Sequence, residues 1–121
     1  MIVAGFGFRT GTPLSSLQAA LTLAQAGQPP ATALATPHDK TAALVPLADA
    51  LGLPIIAITA PDLAAAPTTT QSAASHAARD TGSVAEAAAL VGAGPGARLL
   101  TPRHISPDRM ATCALATGLS E

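Results

Sequence analysis

At 121 residues the chain has single-domain length, enough to bury roughly two thirds of its unfolded surface. Hydrophobic residues make up 49 % of it and charged residues only 11 %, the opposite of what a disordered or solvating segment needs. A net charge of −1 with no basic cluster gives no field for a phosphate polymer, which argues against nucleic acid as a partner.

Cys113 is the single cysteine, so there is no internal disulfide and no CxxC pair to hold a metal. The start, Met1-Ile2-Val3-Ala4-Gly5, lacks the charged residues and apolar run of a signal peptide. No apolar stretch reaches the roughly 18 residues of a membrane span. The expectation is one cytoplasmic, soluble domain over residues 1–121, without a membrane partner. Phe6 and Phe8 are the only aromatic residues, so the core must come from Ala, Leu, Val and Ile.

Met1 to Ala4 reads as a first strand, followed by a glycine-punctuated loop from Phe6 to Gly11. Thr12 looks like an N-cap with Pro13 at the first helical position. Leu14, Leu17, Leu21 and Ala24 then recur at helical spacing up to Gly27. Ala31 to Ala35 is a second strand, apolar enough to be covered on both faces. After the polar turn Thr36 to Lys40, a second helix starts near Ala42, which keeps Pro46 close to its first turn. It ends at Gly52 and Pro54, and Ile55 to Ile58 is a β-branched third strand.

Thr59 to Thr70 reads as loop with one helical turn around Asp62, and Ser72 to Arg79 as a short helix. Ser83-Val84-Ala85-Glu86 is a capping box opening a helix through about Val91. Gly92 to Gly96 is a turn, Arg98 to Thr101 a fourth strand and Met110 to Thr117 a fifth. This order predicts a three-layer α/β/α sandwich with a mixed, mostly parallel five-stranded sheet. The first three strands are parallel and the last two, with no helix between them, are antiparallel.

Three stretches can carry chemistry. Gly5-Phe6-Gly7-Phe8-Arg9-Thr10-Gly11-Thr12 joins a strand to a helix N-terminus, a place that favours an anion. A tight turn whose glycines only bring helix to strand is the alternative. The third glycine is one position late for a dinucleotide fingerprint, and Thr36-Pro37 stands where that fingerprint needs an acid; no cofactor is expected. Gly82 and Ser83 open a second helix end, where plain capping by Ser83 and Glu86 competes with an anion site. Arg9, Lys40 and Arg103 each follow a predicted strand, the edge of an α/β sheet where ligands bind. Cations there suit a ligand with several carboxylates, although solvated surface charges are the competing reading. His38, His76 and His104 show neither HxH nor HExxH spacing, so no metal site is expected. His38 and Glu86 are the candidate general bases. Cys113 sits in an apolar strand as a buried thiol.

The same segments resemble the CobE family, which is similar to the C-terminal domain of the cobalt-precorrin-5A hydrolases (CbiG) of cobalamin biosynthesis. The resemblance rests on residues 5–12, on Leu34-Ala35-Thr36 with Lys40 following, on Leu51-Gly52-Leu53-Pro54 and on Ser83-Val84-Ala85-Glu86-Ala87-Ala88-Ala89-Leu90. It implies an α/β/α domain and a precorrin or corrin-ring ligand rich in carboxylates, held by Gly5, Gly7, Arg9, Thr10, Gly11, Thr12, Lys40, Gly82, Ser83 and Arg103. Two roles follow: hydrolytic opening of a ring lactone, or non-catalytic carriage of the intermediate, in either case alongside other enzymes of the pathway. The chain departs from the family pattern at Ala42 and Ala43, where an acid is common, and at Pro102-Arg103, where Pro-Lys is common. Arginine keeps the charge there but cannot serve as a titrating base.

Overall fold

The computed structural model describes residues 2–9, 11–59, 81–94 and 96–118; the turn near Asp62, the helix Ser72 to Arg79, Thr10 and His76 lie outside them. The described elements are β1 (Ile2–Phe8), α1 (Leu14–Gln25), β2 (Ala33–Pro37), a 3-10 turn (His38–Lys40) and α2 (Thr41–Leu51). They continue with β3 (Ile55–Ile58), α3 (Thr81–Ala93), β4 (Arg98–Ile105) and β5 (Ala111–Thr117). One five-stranded sheet has the order β3-β2-β1-β5-β4. β1, β2 and β3 are parallel neighbours, while β5 is antiparallel to both β1 and β4. Among the described strands, four therefore run one way and β5 is reversed.

Strand alternation divides the core into two sides. Ala4, Phe6 and Phe8 of β1 join Leu34, Cys113 and Leu115 beneath Leu17, Leu21, Leu44 and Leu47 of α1 and α2. Val3, Ala33, Ala35 and Ile58 face Ala88 and Val91 of α3 on the other side. This is the three-layer α/β/α arrangement expected, with the mixed, mostly parallel sheet. Among the described residues, no helix is long and apolar enough to cross a membrane.

Several boundaries differ from the sequence reading, each for a physical reason. β1 does not stop at Ala4 but runs to Phe8, because β5 pairs with it from Ile2↔Thr117 to Phe8↔Ala111. Gly5 and Gly7 are thus strand residues, not loop. Gly5 is there because α3 lies directly on it: a Cβ would overlap the Ala85 carbonyl oxygen and the Ala89 backbone nitrogen. Thr12 does not cap α1. Pro13 occupies the cap position with extended ψ of 159° and no side-chain cap, while the Thr12 hydroxyl donates to the Arg9 carbonyl at 2.5 Å. α3 is already helical at Thr81, so Ser83 lies inside it and not at its N-cap position. β2 sits two residues later than expected, and β4 extends to Ile105. α2 begins one residue early and holds Pro46 on its exposed side.

Candidate functional site

The strand directions bring the ends of β1, β2, β3 and β4 to one edge of the sheet. At that edge β1 and β2 part. Their pairing ends at Gly5↔Ala35, whereas β2 stays on β3 through Pro37↔Ile58. The gap is an open cleft of about 210 Å³ between Gly7 and Phe8 of β1, Thr36 and Pro37 of β2, the turn residues Asp39 and Lys40, and Val84 of α3. A crevice beyond the carboxyl ends of strands, beside a change of strand order, is the usual ligand site of an open α/β sheet.

Three side chains from three elements fasten the end of β1. The buried Thr36 hydroxyl donates to the Phe6 carbonyl at 3.1 Å, and the buried Thr112 hydroxyl donates to the Gly7 carbonyl at 3.1 Å. Lys40 Nζ donates to the Phe8 carbonyl at 3.2 Å and lies 5.5 Å from the centre of the Phe8 ring. The half-buried ammonium is thereby held in place before any ligand arrives. It has two further donors, and it is the only lysine in the chain. Positive charge already positioned in a cleft binds a carboxylate without the full entropic cost of ordering a long side chain.

Of the residues expected to form a site, Gly7 and Lys40 line the cleft, and Gly82 and Ser83 immediately precede its Val84. Arg9 follows β1 at the same edge with its side chain exposed, its backbone N–H bonded to the Met110 carbonyl at 3.1 Å. Gly11 lies in the adjoining turn at φ +84°. His38 is exposed in the 3-10 turn next to Asp39. Arg103 is not with them: it sits in edge strand β4, two strands from β1, roughly 10 Å away at ordinary strand spacing. Phe8, Thr36, Pro37, Asp39 and Val84 were missed. Asp39, Phe8 and Val84 all adjoin expected site residues in sequence, but Phe8, Thr36, Pro37 and Val84 look like core or turn until the parting of β1 and β2 is known.

Glu86 is fully buried. Its Oε2 accepts the Arg103 backbone N–H at 3.1 Å, where β4 slips register against β5 between Thr101 and His104. A bulge leaves a backbone donor without its ladder partner, and this carboxylate supplies an acceptor. Glu86→Ala is expected to cost about 2 kcal/mol, the penalty of an orphaned buried donor, and Glu86→Gln clearly less. Urea unfolding of both variants checks this; equal losses would show that the bulge does not depend on an acceptor at this position.

The N-terminus of α1, where an anion was expected, already holds one from the protein. α1 has no acidic residue in its first turn. The β4–β5 turn brings Asp108 there instead: the buried Ser16 hydroxyl donates to Asp108 Oδ2. The Ser106 hydroxyl and the Met110 N–H donate to Asp108 Oδ1 at 2.6 and 3.1 Å. These donors, Ser106 first and then Ser16, hold the carboxyl below its ordinary value of 3.8. A lowered folded-state value means that the stabilisation is complete above the unfolded value and lost as pH falls through the folded one. The advantage of the wild type over Asp108→Asn should therefore be full at neutral pH, begin to shrink as pH approaches the ordinary carboxyl value of 3.8 and be lost as pH falls through the lower folded-state value. Thermal melts across that range test it, and a constant difference would contradict the assignment. Burial pushes the Cys113 thiol far up, which leaves it protonated and unsuited to nucleophilic work. Among the described residues, no group of three or more His, Cys, Asp or Glu gathers as a metal centre would require.

Compared with known proteins, residues 2–116 match the family described as cobalamin synthesis G C-terminus. The chain is similar to the solved structure of cobalamin biosynthesis protein ChiG from Agrobacterium tumefaciens strain C58. The two are 33 % identical over 98 % of this chain and 99 % of that one, with a TM-score of 0.75. It is also similar to CobE, a protein from the cobalamin (vitamin B12) biosynthetic pathway, at 31 % identity over 96 % of this chain and 89 % of that one, TM-score 0.74. A cobalamin biosynthesis protein G homologue from Sulfolobus solfataricus shares the fold at 17 % identity and TM-score 0.75, the match covering 96 % of this chain and 36 % of that one. No curated protein sequence matches the chain.

Proposed function

The chain belongs to the cobalamin synthesis G C-terminal family, and from that premise we propose that it binds a precorrin or corrin-ring intermediate through the cleft at the ends of β1 and β2. The observation that carries the reading is the placement of Lys40. Its ammonium is fixed by the Phe8 carbonyl and ring inside the cleft, suited to a carboxylate arm of the ring. Arg9, exposed at the same edge, pairs with a second arm, while the body of the macrocycle rests outside a cleft of this size. Holding the intermediate and passing it to another enzyme of cobalamin synthesis requires nothing more.

Asp39 favours a second, hydrolytic reading. Asp39 lines the same cleft as Lys40, and a carboxylate there can take a proton from a water attacking a ring lactone. Lys40 would stabilise the oxyanion that forms. Water adds to the carbonyl carbon, the ring C–O bond breaks, and the products are a carboxylate and a hydroxyl group.

The deciding experiment mixes the protein with cobyrinic acid, and separately with a lactone-bearing precorrin, and follows the pigment through gel filtration. Co-elution supports binding. An unchanged spectrum with the lactone intact assigns a carrier, whereas catalytic opening of the lactone to the hydroxy acid assigns a hydrolase. Elution of both pigments apart from the protein would refute the binding site. Because the chain has neither Trp nor Tyr, the pigment spectrum is read almost without protein background.

A further inference from the structure

In a parallel pair, a backbone N–H on one strand reaches the carbonyl of the residue opposite its predecessor. Leu34 directs its N–H away from β1, to the Pro54 carbonyl at 2.9 Å. By alternation, residues 35 and 37 direct theirs toward β1. Ala4 is opposite Leu34, so Ala35 serves the Ala4 carbonyl. Continued by two residues, the register puts Phe6 opposite Thr36 and makes residue 37 the donor for the Phe6 carbonyl. Residue 37 is proline and has no N–H. The Phe6 carbonyl instead accepts the hydroxyl of Thr36, at 3.1 Å and fully buried.

We infer that Thr36 and Pro37 together hold the cleft open: Pro37 withholds the ladder donor, and the Thr36 hydroxyl takes over its acceptor. The β1–β2 ladder can then stop without leaving a buried carbonyl unpaired, which would otherwise cost stability. Pro37 leads directly into the 3-10 turn that carries Asp39 and Lys40. Thr36 and Pro37 are thus positioning residues for Lys40. The ligand part of this inference rests on the function proposed above; the hydrogen-bond exchange does not.

Two readouts on the full-length protein test the two parts separately. Removing a proline also loosens the unfolded chain, so stability is compared as a double-mutant cycle. Thr36→Val should lower the melting temperature when residue 37 is proline and much less beside Pro37→Ala, whose new N–H serves the Phe6 carbonyl. Thr36→Ser should behave as wild type. The new amide at position 37 should also be protected from hydrogen exchange. Additive effects, or an unprotected amide, would overturn the exchange whether or not any ligand binds. For the cleft, uroporphyrin serves as a polycarboxylate tetrapyrrole probe. Pro37→Ala should bind it roughly tenfold more weakly, as when one charge-assisted contact is lost, although the protein remains folded. Wild-type affinity in Pro37→Ala would overturn the positioning role. Failure of the wild type itself to bind would count against the proposed function and against this positioning role, while the cycle still decides the hydrogen-bond exchange.

Discussion

Gly5→Ala should destabilise the protein by about 3 kcal/mol, the upper end of the usual range for overpacking. Gly5 is the middle of β1, paired with Ala35 on one side and Ala114 on the other, so its backbone cannot retreat without breaking two ladders. On its open side lies α3, and the atoms that a Cβ would strike are backbone: the Ala85 carbonyl oxygen, the Ala89 nitrogen and the Ala89 Cα, the last at 2.9 Å. No rotamer change relieves such a contact, so the whole helix must move. It is held against moving at its other end, where Gly92 allows close contact with Val3 and Ala35. Urea unfolding measures the loss. Since Val84 of α3 borders the cleft, tetrapyrrole binding should fall along with stability. A variant as stable as wild type would mean that α3 does not rest on Gly5.

Lys40→Ala is expected to weaken binding of cobyrinic acid by roughly 1.5–3 kcal/mol, on the order of a tenfold to hundredfold change in Kd. The basis is one charge-assisted contact to a carboxylate arm. The fold should be little affected, because the hydrogen bond to Phe8 is at a half-buried position. Titration followed in the visible spectrum, with a parallel melt, separates the two effects. Added salt should weaken wild-type binding more than that of Lys40→Ala, as screening removes an interaction the variant no longer has. Unchanged affinity in a folded Lys40→Ala protein would remove Lys40 from the site.

The family likeness and the cleft chemistry meet at a few positions. Residues 5–12 were legible as a distinctive segment, but their shared meaning was not. Gly5 serves helix packing, Gly7 and Phe8 line the cleft, and Thr12 secures a turn through the Arg9 and Met110 carbonyls. The anion expected at the start of α1 exists as Asp108, about ninety residues later in sequence, a distance that no local pattern spans. Glu86 shows the same limit. Its spacing from Ser83 satisfies the capping-box pattern, yet burial turns it toward a bulge in β4, a feature absent from any local signal.

What the sequence determined by itself was what local periodicity and composition control: the alternation of strands and helices, the three-layer class, the parallel first three strands and the charge-poor, alanine-rich core. It also marked Lys40 as a cation just beyond a strand. Only the tertiary structure decided where β1 ends, since that depends on β5 pairing with it from the far end of the chain. The same holds for the cleft. Pro37 could be read from the sequence, but its missing N–H matters only because β1 lies beside it with a carbonyl to satisfy. Side chains distant in sequence become partners through strand register, and register is a property of the whole sheet.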